Sequence, residues 1–260
     1  MMIKDMSKKT LIFLGILLVL LVYSAVSIDY SGLSTFSLSM GLEVLKGLSH
    51  PDWSFVYDGS GEDLVSLLIL TIGIAFLGTF IGTVLAIPFT LLSASNLWKN
   101  LPAIPFIGKF ICNVLRAFPE LVFAIIFVKV VGPGPFAGVM AIGVHHIGML
   151  GKLYTEELEA MDEKLVEEIE AVGGNFWQTF FFVRVPSLLP IYSSLSLNHF
   201  EIAVRSAATL GLVGAGGIGA PLIFAIQTRS WDKVSIILLG VVLTVFLLDI
   251  ITGIFRKKLR

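Results

Sequence analysis

The sequence predicts an all-α membrane protein with six transmembrane helices and both termini on the cytoplasmic side of the bilayer. Hydrophobic residues make up 56% of its 260 residues and charged residues only 14%, where soluble domains have roughly a quarter charged. The mean hydropathy is +0.92. A helix needs about 20 apolar residues to cross the hydrocarbon core, and six apolar runs approach or exceed that length. They are residues 11–28, 64–92, 110–131, 136–154, 188–213 and 233–255.

The positions of lysine and arginine predict the orientation. In membrane proteins these residues are enriched in the loops on the cytoplasmic side. With the N-terminus inside, twelve of them fall in inner segments and four in outer segments. Both termini are therefore expected inside. The inner residues are Lys4, Lys8, Lys9, Lys99, Lys109, Lys152, Lys164, Arg184, Arg256, Lys257, Lys258 and Arg260, and the outer ones are Lys46, Lys129, Arg229 and Lys233.

The chain divides into two regions by composition. Residues 1–63 are expected to form an N-terminal transmembrane anchor and an extracytoplasmic loop, because the first apolar run is followed by a polar and acidic stretch. Residues 64–260 are expected to form the main transmembrane domain. The small residues at 24–27 leave a cleavable signal peptide as the alternative to a retained first helix.

A charged interruption at residues 156–186 is predicted to be a helix–turn–helix. Apolar residues at helical spacing predict an amphipathic helix over 156–170. Gly173 and Gly174 are expected to end it, and a second short helix is expected to end at Pro186. The alternative is a solvated acidic connector whose apolar stripe packs only on its own bundle. The stripe consists of Leu158, Met161, Leu165, Ile169 and Val172.

The fifth apolar run carries the most polar side chains. Ionisable groups inside a membrane are costly, so they usually face a cavity or a partner. In one interpretation Arg205, Ser206 and Thr209 receive a polar or anionic solute. In the other, Arg205 pairs with Glu201 in a structural role, and a neutral pair would attract an anion only weakly. The candidate path residues are His199, Glu201, Arg205, Ser206 and Thr209.

Three other features invite a structural interpretation. Arg116 and Glu120 are four residues apart and are expected to pair on one helix face. His145 and His146 are adjacent, so they point to different faces of a helix, and no third metal ligand lies close in the sequence. A role in helix packing is expected for them rather than a metal site. The single cysteine, Cys112, excludes an internal disulfide and a cysteine-based zinc cluster.

A glycine-rich segment matches the dinucleotide-binding pattern G-x-G-x-x-G at Gly214, Gly216, Gly217 and Gly219. It follows a membrane helix rather than a strand, so a nucleotide site is rejected and a close backbone bend at an outer gate is expected. The sequence contains no G-x-x-x-x-G-K-[ST], H-E-x-x-H or G-x-S-x-G motif. Neither ATP hydrolysis through a phosphate loop nor intramembrane proteolysis is therefore expected. The net charge of −1 gives no argument for nucleic acid.

The charged interruption also carries a compound pattern, Glu167-Glu168-Ile169, then Gly173, then Val183-x-Val185-Pro186. It resembles the cytoplasmic coupling motif of ABC-importer permeases, E-A-A-x3-G-x9-I-x-L-P. The spacing is kept, and the residues differ at both alanines and at the Ile and Leu positions. The resemblance implies contact with a separate ATPase. The implied coupling residues are Glu167, Glu168, Ile169, Ala171, Gly173, Gly174 and Pro186.

Three further stretches resemble the phosphonate-type permeases: RAFPELV at 116–122, HIGMLGKLY at 146–154 and RSAATLGLVGAGGIG at 205–219. That family implies the type I ABC importer permease fold in a bacterial plasma membrane, and a permease homodimer surrounded by lipid. It also implies a cytoplasmic ATPase homodimer that holds ATP and magnesium. An extracytoplasmic binding protein would deliver phosphonate, phosphite or phosphate. No cofactor is expected on this chain.

Two alternatives stay open at this point. Methionine-type permeases share an Arg…Gly-Ala-Gly-Gly ending, so a permease for an amino acid is the alternative within the same class. An ion-coupled secondary transporter is the more distant one. It predicts inverted repeats with two interrupted helices, and the sequence shows interruptions by glycine and proline without paired halves.

Overall fold

A computed structural model of the chain describes residues 8–31 and 37–259. Within these ranges the chain forms helices joined by short turns, and no strand is present. Contacts between residues divide it into two units, Met1–Lys46 and Gly47–Arg260. The first unit contains a 20-residue apolar helix, and the second contains the rest of the helical bundle.

The described residues contain eleven α-helices, with two short 3-10 segments at Trp53–Phe55 and Gly211–Val213 and a π-helical segment at Phe180–Arg184. The α-helices are α1 (Lys8–Ser27), α2 (Leu38–Leu48), α3 (Leu64–Ser93), α4 (Ala103–Ala117), α5 (Glu120–Val131), α6 (Pro135–Ala160), α7 (Lys164–Ala171), α8 (Phe176–Thr179), α9 (Val185–Leu210), α10 (Gly219–Gln227) and α11 (Trp231–Leu259).

Five of the described helical segments are long and apolar enough to cross a membrane. They correspond to five of the six apolar runs found in the sequence. They are Lys8–Ser27, Leu64–Ser93, Pro135–Ala160, Phe176–Val213 and Trp231–Lys258.

The prediction of one continuous helix over residues 110–131 is wrong. α4 ends at Ala117 and α5 begins at Glu120, with Phe118 extended at φ −83° and ψ 130° between them. Pro119 explains the break, because proline lacks an amide hydrogen and forces the preceding residue out of the helical region. Two short helices, α4 and α5, therefore replace the single transmembrane helix predicted for residues 110–131.

Helix α6 is the centre of the bundle and packs against α3, α4, α5 and α9. Small residues let its neighbours approach closely. A Cβ added at Gly78 of α3 would lie 2.8 Å from the Cβ of Ile142, and one added at Gly82 would lie 2.5 Å from the Cβ of His146. Between apolar helices in a bilayer, such close packing replaces the hydrophobic driving force of soluble cores. The Gly78-x-x-x-Gly82 motif therefore serves packing within one chain.

Two tyrosines join α6 to α9. The rings of Tyr154 and Tyr192 stack with centroids 4.1 Å apart. The Tyr192 hydroxyl donates to the Tyr154 carbonyl at 2.8 Å, and the Tyr154 hydroxyl is hydrogen-bonded to Ser196 at 2.5 Å. Buried hydrogen bonds of this kind fix the register of two helices, because a shift would leave the polar groups without partners.

Gly82→Ala is expected to destabilise the bundle by about 1–3 kcal/mol, because the new methyl group would collide with the backbone and side chain of α6. The measurement is the midpoint of thermal unfolding in detergent. Gly73→Ala is the matched control, since a Cβ at Gly73 meets nothing within 4 Å. Equal midpoints for the two variants would contradict the close packing of α3 on α6.

Candidate functional site

The charged interruption folds differently from the predicted helix–turn–helix. Residues 156–160 belong to the end of α6, and α7 begins only at Lys164. The predicted single stripe is also wrong, because Leu158 is buried whereas Leu165 and Val172 are exposed, and Val166 packs inward instead. Proline does not end the second helix. Pro186 lies in the first turn of α9, directly after the π-helical segment Phe180–Arg184.

The predicted turn at the two glycines is confirmed. Gly173 has φ +91°, and the amide of Gly174 donates to the carbonyl of Ile169 at 2.9 Å. A Cβ added at Gly174 would lie 2.7 Å from that carbonyl oxygen. Asn175 then caps α8 through a reciprocal capping box with Gln178. The turn therefore fixes how α7 is joined to the segment that leads into α9.

The surface of this turn region combines acids with large apolar side chains. Glu167, Glu168 and Ala171 of α7 are exposed, and Ile169 is half-buried. Beyond the turn, Phe176 is 53% exposed and Trp177 is 64% exposed. Exposed apolar side chains rimmed by charges are typical of an interaction surface.

A cavity of about 480 Å³ lies beneath α7, between that helix and the loop at residues 96–101. Lys99 and Glu163 form an ion pair of 3.1 Å at its edge. Arg184 lines the cavity with only 7% of its surface exposed, and its Nη1 has no hydrogen-bond partner within the described residues. The carboxylates of Glu163 and Glu170 act on it electrostatically without forming an ion pair with it. In the sequence, Arg184 served only as one of the positive charges that predict the membrane orientation. Its position between Val183 and Val185 of the coupling pattern was the signal that could have marked it as a site residue.

The interpretation in which Arg205 pairs with Glu201 is wrong. Glu201 is buried and bonds to Arg256 of α11 at 2.8 Å and to the hydroxyl of Thr252. Arg205, one turn further along α9, is exposed and has no ion-pair partner among residues 8–31 and 37–259. The sequence spacing did not show this, because the partner of Glu201 comes from 55 residues further along the chain.

The candidate path residues separate into two groups. Arg205 and Thr209 are exposed and Ser206 is half-buried, and together they occupy about one helical turn of α9. The other two candidates point into the bundle. His199 is 4% exposed and Glu201 is 8% exposed.

One residue outside the predicted path, Glu120, lies beside it. Glu120, at the start of α5, is half-buried, and its carboxyl group lies against Ser206. The expected ion pair between Glu120 and Arg116 is absent from the described residues, because the break at Pro119 turns α5 away from α4. Arg116 is left exposed.

The adjacent histidines take part in packing, as expected. His146 is 1% exposed, and its ring meets the ring of His199 edge to face at 5.1 Å. His145 lies against the backbone of Phe118 at the break between α4 and α5. Within the described residues no group of three histidine, cysteine or acidic side chains could hold a metal ion.

The glycine-rich segment forms a tight, irregular turn after α9. Gly214, Gly216 and Gly217 all have positive φ, between +77° and +84°. A Cβ at Gly216 would lie 2.7 Å from the nitrogen of Pro135, and one at Gly219 would overlap the carbonyl of Ala208. Only glycine accommodates these positions, so the prediction of a close backbone bend is confirmed.

Comparison with known proteins identifies the family. Residues 86–260 match the family described as the binding-protein-dependent transport system inner membrane component. The chain belongs to this family. It is therefore a multi-pass membrane subunit of a transport system and not itself an enzyme.

Several relatives of this transport component have assigned solutes. The phosphate-import permease protein PhnE of Mycolicibacterium smegmatis is 34% identical over 78% of this chain, which spans only 38% of that protein. The phosphite transport system permease protein PtxC of Stutzerimonas stutzeri is 33% identical, with 74% of this chain and 70% of the relative covered. The putative cryptic phosphonate permease protein PhnE2 of Escherichia coli is 37% identical over 45% of this chain and 97% of its own.

Solved structures support the fold. An inward-facing structure of the MetNI methionine ABC transporter superposes with a TM-score of 0.64 at 17% identity, covering 86% of this chain and all of the other. An amino acid ABC transporter gives a TM-score of 0.63 at 19% identity, covering 75% and 93%. The transport component thus shares the all-helical architecture of ABC importer permeases.

Glu201→Gln is expected to destabilise the transport component by about 2 kcal/mol, because it leaves Arg256 with a weakened partner in a largely buried site. Asp249→Asn is the matched control. Asp249 is 3.9 Å from the same guanidinium and its side chain is 64% exposed, so its removal should cost less than about 1 kcal/mol. Thermal unfolding midpoints in detergent measure both effects. A smaller loss for Glu201→Gln than for Asp249→Asn would contradict the assigned pair.

Proposed function

We propose that this chain is the permease subunit of an ATP-driven importer for phosphonate or the related oxyanions phosphite and phosphate. The names of the relatives support the solute class, because permeases for phosphate, phosphite and phosphonate are among them. The exposed guanidinium of Arg205 supports it physically. Arginine binds the oxygens of phosphorus oxyanions through paired, charge-assisted hydrogen bonds.

The observation that carries the proposal is that Arg205 and Glu201 do not form a neutral pair. Glu201 is occupied by Arg256, so the positive charge of Arg205 is not cancelled by the acid one turn away. An uncompensated cation at membrane depth is unfavourable unless it faces water or an anion. Arg205, Ser206 and Thr209 would therefore receive the anion, with the glycine-rich turn at 214–219 as the outer gate.

The same proposal includes the topology and the partners. Six spans with both termini inside would result if α4 and α5 together completed the third crossing. The basic end of α11, with Arg256, Lys257 and Lys258, supports a cytoplasmic C-terminus. The partners would be a second copy of this permease, a cytoplasmic ATPase homodimer carrying ATP and magnesium, and an extracytoplasmic binding protein.

Coupling would run through α7 and the turn that follows it. The exposed acids Glu167 and Glu168 would contact the ATPase, and its closure would move α7 as a rigid element. Arg184 would remain beneath α7 as the charge that holds its acidic inner face to the bundle. The two glycines and Pro186 would set the angle between α7 and α9 throughout this movement.

A permease for an amino acid is the second candidate. The methionine import system permease protein MetP of Bacillus subtilis is 26% identical over 65% of this chain and 80% of its own. Arg205 would bind the solute carboxylate in that case. The higher identity of the permeases for phosphorus oxyanions favours the first candidate.

The deciding experiment is ATP hydrolysis by the reconstituted permease with its ATPase and binding protein. The binding protein is presented with methylphosphonate, phosphate, phosphite or methionine in separate assays. Stimulation by a phosphorus oxyanion alone is the expected result and identifies the solute. Stimulation by methionine alone would assign the chain to the amino-acid permeases, and uptake driven by a sodium or proton gradient without ATP would overturn the importer.

Gly173→Pro is expected to lower the number of solute molecules transported per ATP hydrolysed. Proline fixes φ near −65°, which conflicts with the φ of +91° at this turn. Gly61→Pro is the matched control, because Gly61 has φ +82° and also lies in open space but is remote in sequence from α7. Unchanged coupling in Gly173→Pro would show that this turn does not transmit the movement.

A further inference from the structure

Helix α4 carries a polar stripe along one side. Lys109, Asn113 and Arg116 occupy positions i, i+4 and i+7, so they lie one above another on the helix surface. Asn113 and Arg116 are exposed, and Lys109 is half-buried. The neighbouring exposed face of α4 is apolar and includes Phe106 and Phe110. The helix therefore presents one face suited to lipid and one face suited to water.

Helix α6 presents a matching polar stripe next to α4. This stripe consists of three residues at helical spacing, all at least partly exposed: His145, Lys152 and Glu156. The two backbones approach so closely that a Cβ at Gly148 would lie 2.8 Å from the amide nitrogen of Arg116. A cavity of about 210 Å³ opens between the helices. Its lining includes Lys109, Asn113, Lys152, Thr155, Glu156 and Glu159.

The charges along this groove are unevenly compensated. Lys109 pairs with Glu159 at 2.8 Å, and Lys152 pairs with Glu156 at 3.4 Å. Arg116 has no acid within ion-pair distance in the described part of the chain. The groove is therefore electrically neutral where the cavity lies, and the uncompensated charge of Arg116 lies one turn beyond Asn113, outside the cavity lining.

The contacts that α4 makes along α6 show how far Arg116 lies from the paired lysines, measured along the helix axis. Lys109 forms its ion pair with Glu159 of α6, and the backbone of Arg116 packs against Gly148 of α6. Gly148 precedes Glu159 by eleven residues. At 1.5 Å per residue these levels are roughly 16 Å apart. Beyond Arg116, Glu120 lies against Ser206, the neighbour of Arg205 in sequence. Arg116 thus occupies an intermediate level between Arg205 and the neutral end of the groove.

We propose that the groove between α4 and α6 is the inner half of the solute path, with Arg116 as a second binding position for the phosphorus oxyanion after Arg205. This proposal rests on the proposed function for the identity of the anion. A guanidinium without an acid partner can exchange its hydration for oxyanion oxygens. The paired lysines below it attract the anion less, because each is already neutralised, and that difference favours release toward the cytoplasm.

The test uses a cysteine reporter inside the groove. Cys112→Ser removes the native thiol, the single cysteine of the chain, and Asn113→Cys places a new thiol one turn from Arg116. The assembled transporter is treated with a negatively charged and a positively charged methanethiosulfonate of similar size. The expected result is modification by both reagents, with the anionic reagent faster. A reporter that neither reagent modifies would overturn the water-filled groove, and a faster cationic reagent would overturn its preference for anions.

Arg116→Gln, added to the reporter background, is expected to lower the ratio of anionic to cationic rates by about threefold or more, because one unit charge is removed within a few ångströms of the thiol. Lys129→Gln is the matched control, since Lys129 is an exposed cation near the far end of α5. It should leave the ratio unchanged. An equal change in both variants would show that the field arises from the net charge of the protein and not from Arg116.

Protection of the reporter separates this inference from the proposed function. In the reporter protein that keeps Arg116, methylphosphonate is expected to slow modification of the Asn113→Cys thiol. After Arg116→Gln it is expected to have no effect on that rate. Protection by methionine in its place would keep the groove as the path while overturning its oxyanion specificity. If binding protein loaded with methylphosphonate stimulates ATP hydrolysis but methylphosphonate never protects the reporter, the proposed function stands and Arg116 is not a binding position.

Discussion

The close packing of α6 against α3, α4, α5 and α9 holds the bundle of this transport component together. Glycines on α3 and on α6 let the backbone of α6 approach those of α3 and α4 closely. Methyl groups added at these glycines would collide with Ile142, His146 or Arg116. Apolar side chains gain little from leaving lipid for a protein interior, so tight contact between helices has to hold the bundle together. The stacked tyrosines at 154 and 192 then fix α9 against the same helix.

Charge pairing within the bundle decides which arginines are left without an acid partner. One buried acid, Glu201, is bonded across to α11, and that single bond determines whether Arg205 is neutralised. The break at Pro119 has a similar effect, because it separates Arg116 from Glu120. Arg116 and Arg205 are thus left without acid partners in the described part of the chain. Because an unpaired charge within a membrane is tolerated only beside water or an anion, helix breaks and remote partners would give the proposed path its chemical character.

The proposed coupling segment combines a short helix with a constrained turn. α7 is only eight residues long, too short to be stable alone, so it depends on Val166 packing inward and on the glycine turn that follows. Arg184 is almost fully buried beneath it, facing the cavity that separates α7 from the loop at 96–101. A movable element held by few apolar contacts and by long-range charge attraction suits a segment that must shift without unfolding.

The sequence alone determined the class of the protein, five of its apolar helices, the glycine turn at 173–174 and the bend at 214–219. Each depends on local chemistry: apolar length, or a backbone angle that only glycine adopts easily. Tertiary structure decided the broken helix at 118–119, the limits of α7 and the true partner of Glu201. Pro119 is visible in the sequence, but the apolar run around it is long enough to cross a bilayer and therefore predicted one continuous helix. The partner of Glu201 could not be found by spacing, because ion pairs between helices depend on which faces meet. Here the faces are those of α9 and α11, which pack directly against each other, and no local pattern shows which faces meet.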